Sequence, residues 1–130
     1  MPTNVRQFRD LNMLFQAHPA THDVTTKVDA ATIKQSIRNL VLTMNYERPF
    51  HPEKGCQMYG LLFENVDIIS LQIAKQSIIN VLTTYEPRAN LIEVVLEDMS
   101  YKNAVNVSIY FTIVNSDVVE EVSIYVDRLR

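Results

Sequence analysis

The spacing of hydrophobic residues changes along the chain, from a helical period to a strand period. Apolar side chains first recur at the spacing of one helix face, at Ile33, Ile37, Leu40 and Val41. This pattern predicts a helix over residues 30–42. Asp29 is the expected N-cap, because its carboxylate can accept an amide hydrogen of the first turn.

A second stretch with helical spacing follows. Its apolar face comprises Leu71, Ala74, Ile78, Val81, Leu82 and Tyr85. Ser70 is the expected N-cap, and Pro87 ends the helix because proline has no amide hydrogen and its ring clashes with a helical carbonyl. Ile69, Ile73 and Ile79 widen the apolar face, which predicts a helix buried on more than one side. Between the two helices, residues 58–63 are expected to form a short helical turn.

The C-terminal part of the chain alternates apolar and polar residues with a period of 2. The inward positions are expected to be Ile92, Val94 and Leu96, then Val105, Val107, Ile109, Phe111 and Ile113, then Val122, Ile124 and Val126. Polar turn residues separate these runs. The pattern predicts a three-stranded antiparallel meander with one buried face. Residues 23–28 are expected to form a short N-terminal edge strand.

Together these elements predict an α+β fold, with two main helices packed on one face of the C-terminal three-stranded sheet. The 130 residues are enough to bury one core, and no linker or internal repeat divides them. We expect one domain over residues 1–130. Residues 1–22 are the expected irregular arm, and residues 23–130 the folded part.

The composition excludes several classes of function. The net charge is −3, with acids and bases interleaved, so no basic block marks nucleic acid as a partner. The apolar runs are short, and we expect neither a membrane partner nor a signal peptide. A single cysteine, Cys56, rules out an internal disulfide and a zinc site of the Cys-x-x-Cys kind. We therefore expect no cofactor and no bound metal.

The sequence gives little support for a catalytic site. A glycosidase needs two carboxylates at a set separation; the central acids are Glu47, Glu53, Glu64, Asp67 and Glu86, and no spacing among them is diagnostic. Cys56 and His51 could form a nucleophile pair, but no orienting group is evident, and free cysteine is usually a small buried apolar residue. We expect no catalytic residues and no enzyme activity.

Glu86-Pro87-Arg88 stands where the second helix stops and the strands begin. One interpretation is a helix stop with a local salt bridge, which contributes about 0–1 kcal/mol if exposed. The other is recognition, since an arginine fork can engage a partner carboxylate or backbone carbonyls in a bidentate manner. Both interpretations are open at this stage.

The segment Arg48-Pro49-Phe50-His51-Pro52-Glu53-Lys54-Gly55 cannot form a helix, because two prolines and a glycine interrupt it. It could be a loop anchored by a buried Phe50. It could also be a rigid surface that presents Arg48 and Glu53, and these interpretations are compatible.

The last strand, over residues 121–130, is expected at a sheet edge. Its charged residues could prevent edge-to-edge aggregation, or the edge could pair with a strand of another subunit.

In order and spacing, three segments of the chain resemble the baseplate wedge family of contractile-tailed phages, the sheath initiators of T-even-like viruses. They are Glu47–Cys56, the run Leu61-Leu62-Phe63-Glu64-Asn65, and the helix end Tyr85-Glu86-Pro87-Arg88. The chain is similar in the same way to the baseplate component of type VI secretion systems and tailocins. The resemblance covers about residues 24–128. Lys54 departs from it, because an apolar residue is common there.

The resemblance implies a structural role in the virion tail baseplate, assembled in the host cytoplasm. It implies that Glu86, Pro87 and Arg88 dock on the helical core bundle of the wedge proteins, with Arg48, Pro49, Phe50, Glu53 and Gly55 as a supporting loop. It also implies that the tail sheath protein adds strands to the C-terminal meander, at Val122, Ile124 and Val126. Tail tube and hub proteins are further candidate partners, and the assembly would be sixfold.

Three other functions are alternatives. The equivalent subunit of a type VI secretion or tailocin baseplate would have the same chemistry. A peptidoglycan hydrolase would need a marked carboxylate pair, which the sequence lacks. A small regulatory binding protein would bind a soluble partner and would not enter particles.

Overall fold

The computed structural model describes residues 8–63, 65–114 and 116–127. Three helices are present in this part: α1 (Ala30–Leu42), the short α2 (Met58–Phe63) and α3 (Ile68–Tyr85). The strands are β1 (Arg9–Leu11), β2 (Thr26–Val28), β3 (Ala89–Met99), β4 (Ala104–Ile113) and β5 (Val119–Asp127). The predicted α+β fold is confirmed. None of the helices in the described ranges has the length and apolarity of a membrane span.

The C-terminal sheet is the predicted antiparallel meander, in the order β3-β4-β5. Four of the five inward residues of β4 are fully buried, and Ile113 at the end of the strand is partly buried. The inward residues of β5 are buried as well, with Val122, Ile124 and Val126 at 5%, 2% and 2% exposure. Both main helices contribute to the same core cluster. The period of 2 therefore identified the inward face of both strands correctly.

The pattern failed in β3. Its pairing with β4 shifts register between Leu91 and Glu93, so Ile92 has no partner and lies in a β-bulge. Ile92 is 56% exposed, whereas Val94 is fully buried. The expected burial of Ile92 was wrong because one inserted residue reverses the face on which the preceding side chains lie.

α1 begins and ends where the sequence predicts, and all four residues of its apolar stripe are buried. Asp29 occupies the predicted N-cap position, but the expected hydrogen bond from the first turn to its carboxylate does not form. Asp29 has a φ of 50° and its side chain makes no cap hydrogen bond. Its carboxylate instead accepts the Phe8 amide at 3.1 Å, and its own amide donates to the Phe8 carbonyl. Asp29 thus holds the N-terminal segment against the start of α1.

α3 starts earlier than predicted, with Asp67 as its N-cap. The Asp67 carboxylate accepts the Ser70 amide, and the Ser70 hydroxyl accepts the Asp67 amide, so Ser70 is the N3 residue of a capping box. The expectation of burial on more than one side was also wrong. Ile69 and Ile73 are 70% and 59% exposed, and Ile79 is only partly buried against the core, so the fully buried residues of α3 form a single stripe.

The predicted N-terminal edge strand forms, but in a second sheet. β2 pairs with β1 in an antiparallel two-stranded sheet, so part of the predicted irregular arm is a strand. Gln35 of α1 fixes the segment that follows β1: its side-chain amide donates to the Leu11 carbonyl, and its side-chain oxygen accepts the Met13 amide.

Two isoleucines of the sheet should respond differently to truncation. Ile109 is fully buried in β4, so Ile109→Ala should lower the free energy of unfolding by about 2–5 kcal/mol. Ile92 lies exposed in the bulge, so Ile92→Ala should cost well under about 1 kcal/mol. Urea unfolding of both variants checks this. Equal losses would contradict the bulge.

Candidate functional site

The Glu86-Pro87-Arg88 corner is built around a buried carboxylate. Glu86 caps the C-terminal end of α3, and its amide donates to the Leu82 carbonyl as the last bond of the helix. Pro87 then turns the chain into β3. Glu86 is only 2% exposed, which is unusual for a carboxylate unless it is paired.

Arg88 supplies the pairing by a two-pronged contact. Its Nε lies 2.7 Å from Glu86 Oε1, and its Nη2 lies 3.0 Å from Oε2. This is the bidentate fork that arginine forms with a planar carboxylate. The outer side of the guanidinium is partly exposed, since the Arg88 side chain retains 28% of its accessible surface.

Two more segments reach the same carboxylate cluster. The Ser36 hydroxyl, on α1, donates to Glu86 Oε2. The Phe8 ring lies under the Arg88 guanidinium, with 5.6 Å between the guanidinium carbon and the ring centroid, within the range of a cation–π contact. We call Phe8, Ser36, Glu86 and Arg88 the corner cluster.

The protonation of Glu86 reflects these contacts. Burial by itself would raise the pKa of Glu86, but the hydrogen bonds from Arg88 and Ser36 and the charge of Arg88 outweigh it and lower the pKa below the ordinary value. The carboxylate is therefore ionised in the folded chain at neutral pH.

The corner cluster limits what a partner can contact. The resemblance implied docking through all three residues, but Glu86 is buried and both of its oxygens are occupied within the chain. Pro87 is exposed, and so is part of Arg88. A docking partner would meet these two residues, with Glu86 holding the guanidinium in place from behind.

The supporting loop is exposed, with Gly55 as the exception. Phe50 is 91% exposed, so the interpretation of a loop anchored by a buried phenylalanine was wrong. The loop is held by its own backbone instead, including a bond from the Tyr46 amide to the Pro52 carbonyl. Gly55 has a φ of 159°, and a Cβ there would lie 2.6 Å from the Met44 carbonyl atoms. Only glycine fits where the loop passes this close to the Met44 backbone.

The loop and the corner are joined through α3. The Lys54 ammonium lies 5.5 Å from the centroid of the Tyr85 ring, on the residue that precedes Glu86. Lys54 stands where the resembled family commonly has an apolar residue, and it fits here because its ammonium group contacts the face of the Tyr85 ring. Arg48, Pro49 and Glu53 extend from the loop into solvent.

The β5 strand presents its backbone rather than its apolar side chains. Val122, Ile124 and Val126 are buried, so they cannot themselves contact another protein. β5 pairs only with β4 among the described strands, which leaves its other edge open. The Arg38 guanidinium of α1 donates to the Ser123 carbonyl at 3.3 Å, and Lys34 forms an ion pair with Glu120 at 2.7 Å.

The candidate nucleophile pair is not assembled. Cys56 is 1% exposed, and burial raises the pKa of its thiol despite a contact with the Ser77 hydroxyl at 3.6 Å. His51 instead faces Glu53, with 3.5 Å between Nδ1 and the carboxylate. Within the described part of the chain, no three His, Cys, Asp or Glu side chains lie close enough to hold a metal ion. Glu64 and residues 128–130, which the sequence pattern assigned to the last strand, lie outside the described residues.

Two contributors to these surfaces were missed by sequence reasoning. Ser36 lies 50 residues before Glu86, and Arg38 lies 85 residues before Ser123. The only sequence feature that could have indicated these contacts was the position of Ser36 and Arg38 on α1. Both lie off the apolar stripe, and their partners depend on how the helix sits on the sheet.

Comparison with known proteins places these features in a family. A family model described as baseplate wedge protein gp25 matches residues 27–118. The baseplate wedge protein gp25 of Enterobacteria phage T4 is 28% identical over 103 residues, which is 78% of each chain.

Solved structures that share the fold include the following three. A Geobacter sulfurreducens protein provisionally described as a tail lysozyme has a TM-score of 0.67 at 19% identity, covering 75% of this chain and 90% of that one. A chain of the anti-feeding prophage baseplate has a TM-score of 0.64 at 20% identity, covering 92% and 85%. A chain of a type VI secretion baseplate complex has a TM-score of 0.59 at 12% identity, covering 75% and 93%.

The buried carboxylate should make stability depend on pH. Because the pKa of Glu86 is lowered on folding, its contribution is present above the ordinary value of 4.5 and is lost as the pH falls below it. Glu86→Gln should lower the free energy of unfolding by about 1.5–3 kcal/mol at pH 7. The difference from the unmodified chain should shrink towards pH 3, and urea unfolding at several pH values measures it.

The matched control is Glu97→Gln, which removes an exposed carboxylate of β3. It should change stability little at any pH. A Glu86→Gln deficit that stays constant down to pH 3 would contradict the assigned role of the charge.

Proposed function

Because the chain belongs to the baseplate wedge protein gp25 family, we propose that it is a structural subunit of a contractile-tail baseplate. In this role it docks on the helical core bundle of the wedge and provides the first strands to which the tail sheath adds. Family membership carries the structural assignment. The proposal places the protein in the tail of a virion, assembled in the host cytoplasm with sixfold symmetry.

The corner is the proposed wedge-docking surface. Its support is the corner cluster, which holds the Arg88 guanidinium at one orientation while leaving its outer side accessible. A preoriented arginine loses little entropy on binding a carboxylate or a helix C-terminus. The 48–55 loop lies beside it through the Lys54–Tyr85 contact, so Arg48, Pro49, Phe50 and Glu53 can extend the same surface.

The open edge of β5 is the proposed site of sheath addition. The outward amide and carbonyl groups of an edge strand can pair with an extended segment of another chain. The buried side chains of β5 support pairing at this edge, because their packing in the core holds the strand in place. These side chains belong to Val122, Ile124 and Val126. Tail tube and hub proteins remain proposed further partners.

The same role in a bacterial contractile machine is the second candidate. The fold is shared with chains of the anti-feeding prophage and type VI secretion baseplates. Sequencing of the neighbouring genes separates a phage tail from a secretion system.

We propose that the protein is not a peptidoglycan hydrolase. A glycosidase general acid needs a raised pKa so that it is protonated near neutral pH. Glu86, the most buried carboxylate among the described residues, has a lowered pKa and is held by Arg88. The fold shared with a protein described as a tail lysozyme does not supply this chemistry.

Wedge docking can be tested without unfolding the corner. Arg88→Lys keeps a cation beside Glu86 but loses the fork, so it should reduce co-purification with the wedge proteins at least about tenfold while the chain stays folded. The control is Ser36→Ala, which weakens the cluster from inside and leaves its exposed side unchanged. Normal wedge incorporation of Arg88→Lys would contradict docking through the corner.

Sheath addition can be tested at Ser123. Its carbonyl faces the open edge, because Arg38 reaches it there, and the amide of the same residue points the same way. Ser123→Pro removes that amide at an edge position that tolerates proline. It should block sheath assembly on purified baseplates, seen by electron microscopy, and spare wedge binding.

The matched control for the proline variant is Ser123→Ala, which keeps the amide and removes only the hydroxyl bond to Asn106. It should assemble sheath normally. Sheath assembly on Ser123→Pro baseplates would overturn the role of this edge.

A further inference from the structure

The open edge of β5 lies along a groove whose other walls come from α1 and from the segment after β1. The groove has a volume of about 560 Å³. Met13 and Leu14 form its apolar end, and they are 54% and 71% exposed. An extended segment paired to β5 would therefore place every second side chain in the groove, since side chains alternate across a strand.

The groove side of the edge carries more basic than acidic side chains. Lys27, Lys34 and Arg38 line it. Glu121 borders it from the other face of the sheet, because it alternates with the buried Val122 along β5. Lys34 already has an ion-pair partner in Glu120. Among the described residues, Arg38 bonds only to a neutral group, the Ser123 carbonyl. In the part of the chain that the structure describes, the Arg38 side chain thus reaches the β5 edge without a carboxylate partner.

The opposite face of the sheet is acidic. Glu121 lies beside Tyr110 in the register, and Glu93 lies on the other side of Tyr110. The negative charge of Glu121 raises the pKa of the Tyr110 phenol, with smaller contributions that include Glu93 and Glu97. Acidic side chains therefore lie beside the β5 edge on this face, whereas the groove side carries more basic than acidic side chains.

We propose that the β5 edge selects an extended partner segment that turns acidic and apolar side chains towards the groove. The acidic side chain pairs with Arg38 and displaces it from the Ser123 carbonyl, which frees that carbonyl for the incoming strand. An apolar side chain of the same face covers Met13 and Leu14. The outward side chains of the segment are neutral or basic, because they lie beside Glu121. This inference rests on the proposed function of the β5 edge and adds the chemistry of the partner.

Three synthetic nine-residue peptides test the charge selection. In each peptide, threonine on one face alternates with valine on the other. Two of the valines are replaced by Glu in the first peptide, by Gln in the second and by Lys in the third. A peptide that slips by one residue would turn its charged face away from the groove, so loss of the preference in Arg38→Gln is the result that ties the charge to the groove. NMR titration of the full chain measures weak binding and reports which backbone amides shift.

The Glu peptide should bind at least about fivefold more tightly than the Gln and Lys peptides at low salt, with amide shifts at Ser123 and its neighbours in β5. The preference should fall as the salt concentration rises, because exposed charges are screened. Arg38→Gln should abolish the preference. Lys75→Gln, which removes one positive charge from α3, should retain it.

Two results would overturn the inference and can be told apart. Equal binding of the three peptides, with shifts along β5, would remove the charge selection and leave the edge as a strand-pairing site. Absence of β5 shifts with every peptide at millimolar concentration would overturn strand pairing itself, and the selection with it. A Glu preference that persists in Arg38→Gln would remove Arg38 from the proposal.

Discussion

The buried carboxylate of Glu86 is the constraint around which the chain is arranged. It lies at the end of α3, and it is satisfied by the start of β3 through Arg88 and by α1 through Ser36. Phe8 brings the N-terminal segment to the same point. An unpaired charge at this depth would be strongly destabilising. The four segments therefore have to meet in one arrangement, and this arrangement fixes how α1 and α3 lie relative to the sheet.

α1 is the element that connects the two proposed surfaces. Ser36 turns towards the corner, while Lys34 and Arg38 turn towards β5. These positions lie on different sides of a helix with 3.6 residues per turn. The buried stripe between them packs in the core. A shift of α1 that altered one surface would alter the other, so the geometries of the proposed wedge contact and of the proposed sheath contact are linked through one helix.

Local patterns predicted most of the fold, and the failures involved contacts between distant parts of the chain. The bounds of α1 and the inward faces of β4 and β5 followed from periodicity alone. The bulge at Ile92 did not, because apolar alternation continues through it in the sequence. The N-cap of α3 was misplaced by three residues since Asp67 and Ser70 are both good caps and only the structure shows their reciprocal bonds. The burial of Glu86 was hidden because Ser36 is 50 residues away.

The close packing of Gly55 against the Met44 backbone shields a thiol whose chemical labelling can report on opening of the 48–55 loop. Gly55 lies against the Met44 backbone, and the next residue, Cys56, donates its amide to the Thr43 carbonyl at 2.8 Å. Cys56, which carries the thiol, is 1% exposed. A reagent reaches it faster when the loop lifts from α1 or when the whole chain unfolds. The labelling rate of this one thiol therefore measures how often the loop opens, and a partner that clamps the loop would slow it.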